Sequence, residues 1–192
     1  MAILILGLVL FLGMHSTRIF APGVRANAVR SMGLIPWKGV YTLVSLVGFV
    51  LIIWGYGEAR YNPTWVWVSP GWTRHLSALL LIPAFVLLVA AYIPGTHMKA
   101  KLSHPMALAT KIWAFAHLLS NGTLADILLF GGFLVWSILY YAIARRRDRA
   151  EGVTYQAVSV QRDVIAAIIG LVLYGAFAAV LHEWLIGVRP FG

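Results

Sequence analysis

Six histidines hold most of the metal and proton chemistry open to this sequence: His15, His75, His97, His104, His117 and His182. A neutral imidazole ligates iron, copper or zinc, and its protonation falls near neutral pH. His15 and His117 stand out. His15 ends the run Ala-Ile-Leu-Ile-Leu-Gly-Leu-Val-Leu-Phe-Leu-Gly-Met, and His117 lies within Ile-Trp-Ala-Phe-Ala-His-Leu-Leu. An ionisable side chain in so apolar a stretch is costly and marks a site by default. Two imidazoles in a dry pocket suffice for the axial positions of a haem iron, whereas zinc and non-haem iron usually take three or four ligands. The acids Glu58, Asp126, Asp148, Glu151, Asp163 and Glu183 stay out of the middle of the apolar runs, and there is no cysteine. That absence removes disulfides, thiolate ligands, iron–sulfur clusters and cysteine nucleophiles. The expectation is a haem with His15 and His117 as metal ligands. The competing reading gives each imidazole a hydrogen bond to a neighbouring helix.

Helical spacing supplies companions for both histidines. Trp113, Ala114, His117 and Asn121 are three or four residues apart and share a helix face. There Ala114 leaves room for a flat macrocycle or a close helix contact, Trp113 stacks, and Asn121 hydrogen-bonds. Arg18 follows His15 by three residues, on the same face and nearer the charged flank, where it either pairs with a haem propionate or anchors the span. Lys99 is the other basic partner proposed for a propionate. His104 precedes Pro105, a residue favoured in the first helical turn, so it serves as a cap or binds a substrate or propionate at the mouth of the site. His75 and His182 read as outer interfacial residues and His97 as an inner one.

The elements that position these residues must be membrane helices. Of 192 residues 61% are hydrophobic and 11% charged, with mean hydropathy +0.85, against roughly half apolar and a quarter charged in soluble domains. The fold class expected is an all-α integral membrane protein, one domain over 1–192 made of about six transmembrane helices. The apolar segments run Ala2 to Phe20, Gly39 to Gly57, Leu76 to Ile93, Met106 to Leu119, Leu124 to Ala144 and Asp163 to Ile186. The first has no basic leader and no small-residue cleavage site, so it reads as a retained span. The fourth is short and stops at Ser120-Asn121-Gly122-Thr123, a formal glycosylation sequon better read as a helix break. Depth poses a tension: His117 lies 13 residues beyond His104, ~20 Å along a helix, while His15 lies only ~8 Å from the inner end of its span. Snorkelling of Lys111 to the inner interface would reconcile them.

The net charge of +9 serves topology here and not nucleic acid. Arg18, Arg25, Arg30 and Lys38 follow the first span, Lys99 and Lys101 the third, and Arg145, Arg146, Arg147, Arg149 and Arg162 the fifth, against Arg60, Arg74 and Arg189 on the other side. The positive-inside rule then makes the odd loops cytoplasmic and both termini periplasmic in a bacterial inner membrane. Trp65, Trp67 and Trp72 form an outer aromatic belt. The Arg145 to Arg149 run anchors span five and can meet anionic lipid.

His104-Pro105-Met106, Trp113, Ala116-His117-Leu118-Leu119, Asn121-Gly122 and Leu129-Phe130-Gly131 to Trp136 resemble the signature of the NnrU family, membrane proteins associated with denitrification and nitric oxide metabolism. His15, Leu43-Val44-Ser45-Leu46 to Trp54-Gly55-Tyr56, and Leu181-His182-Glu183-Trp184-Leu185-Ile186-Gly187-Val188 extend the resemblance along nearly the whole chain. It reaches the related 15-cis-zeta-carotene isomerases, whose haem b is held by histidines at the places of His15 and His117. Those isomerases carry a cysteine one turn before the second histidine, where this chain has Ala114, so exchange between histidine and thiolate ligands is excluded here. The resemblance implies haem b with a small gas or lipophilic polyene as ligand. The protein is then either a haem-dependent isomerase or nitrogen-oxide redox enzyme, or a non-catalytic sensor or electron-transfer subunit with a membrane redox partner. A more distant similarity is to isoprenylcysteine and phospholipid methyltransferases, which carry Arg-His-Pro followed by Tyr-x-Gly. Here Leu102-Ser103 precede His104-Pro105, Met106-Ala107-Leu108 follow, and the downstream acidic pair is missing.

Overall fold

A computed structural model describes residues 1–191. The helices are α1 (Ala2–Phe20), α2 (Pro22–Met32), α3 (Leu34–Tyr61), α4 (Thr73–Tyr92), α5 (His97–Leu102), α6 (Pro105–Ser120), α7 (Leu124–Ala150) and α8 (Val160–Ile186). Wider π-helical turns interrupt α7 at Ile127–Gly131 and α8 at Phe177–Leu181. Among the described residues there is no strand, only a backbone bridge between Trp65 and Thr123. The chain is thus an all-α, multi-pass membrane protein.

Five helices, α1, α3, α4, α7 and α8, are long and apolar enough to cross a bilayer, one fewer than the apolar segments suggest. The fourth segment forms α6, whose 16 residues span about 24 Å against ~30 Å of hydrocarbon. A second departure lies after α1, where the expected basic loop folds into α2. Its Pro22 supplies the preset backbone angle of a first turn, and none of its residues is buried, as suits a polar surface helix.

The chain divides into two compact units, with the boundaries at Trp67, Gly122 and Gly132. The first contains α1, α2, α3 and the start of α7. Its α1 and α3 run antiparallel and nearly in backbone contact: a Cβ on Gly7 would lie 2.6 Å from the Ile52 nitrogen, one on Gly48 2.7 Å from the Phe11 nitrogen, and one on Gly55 would strike Leu4. Membrane helices gain attraction mainly from such close packing, because lipid offers apolar surface no less apolar than a neighbouring helix. The start of α7 is fixed by a reciprocal cap in which the Thr123 hydroxyl accepts from the Asp126 nitrogen while Asp126 accepts from the Thr123 nitrogen at 2.9 Å. Tyr56 donates to the other Asp126 oxygen at 2.6 Å, so this buried carboxylate is satisfied on both sides.

The second unit holds α4, α5, α6, the rest of α7 and α8. Ser77 of α4 donates to the Ala116 carbonyl of α6 at 2.6 Å, and Ser120 reaches the Thr73 carbonyl at 3.3 Å. These bonds align the start of α4 with the end of α6, making the two antiparallel. Asp163 accepts from the His97 and Met98 backbone nitrogens at 2.9 and 3.1 Å. It thereby caps α5 from α8.

Candidate functional site

His15 sits in the last third of α1, half-buried. Its Nδ1 donates to the Phe11 carbonyl at 2.7 Å, its ring stacks on Phe11 at 4.2 Å between centroids, and Tyr41 of α3 lies 5.3 Å away. His117, near the end of α6 and also half-buried, repeats the hydrogen bond. Its Nδ1 donates to the Trp113 carbonyl at 2.8 Å, with the Trp113 ring 5.1 Å away. A carbonyl only accepts, so Nδ1 carries the hydrogen in both rings and Nε2 is the basic nitrogen. A metal-bound histidine has this second contact almost without exception, because donation from the far nitrogen fixes tautomer and ring orientation. In each ring Nε2 is then the nitrogen through which a metal would be held. For each Nδ1 the bond partner is a carbonyl of the same helix.

The residues placed around His117 divide. Trp113 lies against the imidazole with the two rings tilted by 50°, and meets Phe133 edge-on at 5.5 Å. Ala114 is fully buried, as a small residue at a helix contact is. The Asn121 amide donates back to the His117 carbonyl at 2.8 Å and closes the end of α6. Lys111 points its ammonium over the Tyr141 ring, 5.6 Å from the centroid, while Tyr141 donates to the Leu102 carbonyl. The Lys111 head group thus reaches back toward the turn before α6, the direction that snorkelling requires.

Of the two basic residues expected near a propionate, Arg18 is exposed one turn after His15, in the first unit. Lys99, in the second, donates to the Ala91 carbonyl at 3.0 Å and caps the end of α4. His75 is exposed, as expected of an interfacial residue, and His182 donates to the Val188 carbonyl at 2.7 Å. His97 pairs with Asp163 at 2.8 Å.

His104 builds a second polar centre. Its side chain is largely buried, and Nε2 lies 2.8 Å from Asp148 Oδ2, an ion-pair distance reached out of hydrogen-bond alignment. Tyr155 donates to the same carboxylate oxygen at 3.0 Å. The rings of Tyr140, Tyr141 and Tyr155 stand nearly perpendicular to the imidazole at 6.0 to 6.4 Å between centroids. The preceding Ser103 accepts from Arg145 and is the one non-glycine among the described residues with positive φ, at 62°, a conformation that costs energy and collects at functional turns. Burial pushes the His104 pKa down against the opposing pull of Asp148. Burial and the bond to Asp148 push the Tyr155 phenol up, so it stays a donor.

Sequence reasoning passed over Phe11, Asp148 and Tyr155. The first had a signal, an aromatic four residues before each apolar histidine. Asp148 was masked by four arginines, and Tyr155 lies in an irregular stretch. Among the described residues no three or more His, Asp or Glu side chains gather as a metal site. A family model described as NnrU protein matches residues 3–190. No curated protein and no solved structure matches.

Proposed function

Because the chain belongs to the NnrU family, we propose that it is a haem b protein of the membrane serving nitric oxide or related nitrogen-oxide metabolism, with His15 and His117 as its histidine ligands. The observation that carries this reading is the repeated Nδ1 hydrogen bond to the carbonyl four residues back, which makes Nε2 the basic nitrogen in each ring. Both imidazoles are held among aromatic side chains on helices that carry no acid within a turn of them. Bound haem supplies an iron that coordinates nitric oxide or passes an electron. The protein's part is to hold the two rings in one tautomer and to surround them with apolar side chains that limit water, which tunes a metal as much as its ligands do.

Protein purified in detergent after expression with adequate haem should show a Soret band and a b-type pyridine haemochrome. His15→Ala and His117→Ala should each change that spectrum, whereas His75→Ala and His182→Ala should not. Colourless protein from haem-replete cells overturns the reading, and an unchanged spectrum removes the substituted histidine from the ligand set. Nitric oxide added to the reduced protein separates turnover from tight, unreactive binding.

A further inference from the structure

We infer that Phe11 and Trp113 are positioning residues that set the ring planes of His15 and His117, an inference that rests on the haem reading above. In both places the aromatic residue stands four positions before the histidine, its carbonyl accepts from Nδ1, and its ring lies beside the imidazole, stacked at 4.2 Å for Phe11 and tilted by 50° at 5.1 Å for Trp113. Four residues bring two side chains over one another on a helix face. The hydrogen bond fixes where Nδ1 points, and the aromatic ring blocks the swing that would carry the imidazole out of that bond. Neither constraint alone defines the plane, and together they do.

The pattern occurs twice, in different units and with different aromatic residues, which separates it from incidental packing. The other histidines with bonded or paired rings use other means: His182 bonds forward to Val188, His97 pairs with Asp163, and His104 contacts Asp148. Trp113, which helical spacing made a candidate to stack on the cofactor, here acts on the ligand.

The test compares wild type with Phe11→Ala, Trp113→Ala, the conservative Phe11→Tyr and Trp113→Phe, and Phe115→Ala as an exposed control on the same helix as His117. Each is loaded with haem in detergent, checked for a monodisperse gel-filtration peak, and read by ferric EPR, whose g-values follow axial imidazole orientation, and by haem affinity. The alanine variants should shift the g-values and weaken haem binding about tenfold, the lower range for loss of a ligand's supporting contact. Tyrosine at 11 and phenylalanine at 113 should restore both, and Phe115→Ala should match wild type. Loaded alanine variants whose spectra superimpose on wild type overturn the positioning role alone, as does an equal shift in Phe115→Ala. A wild type that takes up no haem overturns the haem reading and this inference with it.

Discussion

Asp148 draws three groups to one buried carboxylate: the His104 imidazole at 2.8 Å, the Tyr155 hydroxyl at 3.0 Å and the Arg147 guanidinium at 3.8 Å. Burial nevertheless dominates the imidazole and holds its pKa below the usual histidine value. A histidine that binds protons less readily in the fold than in the unfolded chain favours the fold while it is neutral. Stability is therefore full above the unfolded value of ~6.5 and declines as pH falls through it toward the lower folded value. The thermal midpoint of wild-type protein in detergent should be flat between about pH 7 and 8 and drop below about pH 6.5. His104→Gln should flatten that drop, and equal slopes for the two proteins would contradict the assignment. Asp148→Asn should lower the midpoint at every pH, since it weakens the acceptor for Tyr155. At this scale the sequence shows His15 and His117 by their apolar neighbours, because the cost of a polar group in lipid is a local property. It hides Asp148 and Tyr155, because their partnership with His104 depends on chain folding between positions 104 and 155.

At the scale of elements, the contact between α1 and α3 bears directly on His15. The Cα of Gly48 faces the Phe11 backbone nitrogen, and a Cβ there would lie 2.7 Å from it. Any larger residue must push away the turn whose carbonyl holds the His15 ring. Gly48→Ala should cost about 1–3 kcal/mol, the range for overpacking a well-packed contact, and on the haem proposal it should change the spectrum as well. Gly13→Ala, where a Cβ would meet nothing within 4 Å, should leave stability unchanged or raise it slightly through better helix propensity. Thermal unfolding in detergent compares them, and equal stability of the two variants would remove the close approach as the reason for glycine at position 48. The membrane helices were legible as apolar runs, with ends off by a few residues: α3 begins at Leu34 instead of Gly39, and α7 continues to Ala150 through the arginines. Helical propensity and end capping extend a helix beyond the lipid, and hydropathy does not register that extension. The π turns in α7 and α8 left no mark in the sequence, since they arise from how a helix fits its neighbours.

For the whole molecule, the expected orientation rests on where the second unit gathers its charge. The 93–104 segment and the 141–163 segment meet through Ser103 with Arg145, His104 with Asp148, the Pro94 carbonyl with Arg162 at 2.7 Å, and the Gly95 carbonyl with the Val158 nitrogen at 2.9 Å. One end of this unit therefore carries Lys99, Lys101, Arg145, Arg146, Arg147, Arg149 and Arg162. The start of α4 and the end of α6 define the other end through Ser120 and Thr73, so α6 runs from the basic end to the opposite one. Short as it is, α6 therefore joins the two ends of this unit. A bilayer retains such basic loops on the cytoplasmic side, because moving Lys and Arg across it is disfavoured. Expressed in a bacterial host, alkaline phosphatase fused after Gly192 should then be active, and the same reporter inserted near Gly152 should be silent. Arg146→Glu with Arg149→Glu, both exposed, should weaken the contrast without touching either histidine. Activity at Gly152 with silence at Gly192 would invert the orientation and place the His104 centre on the outer face. The ligand roles proposed for His15 and His117 would stand, because they depend on ring geometry and not on the side from which haem arrives.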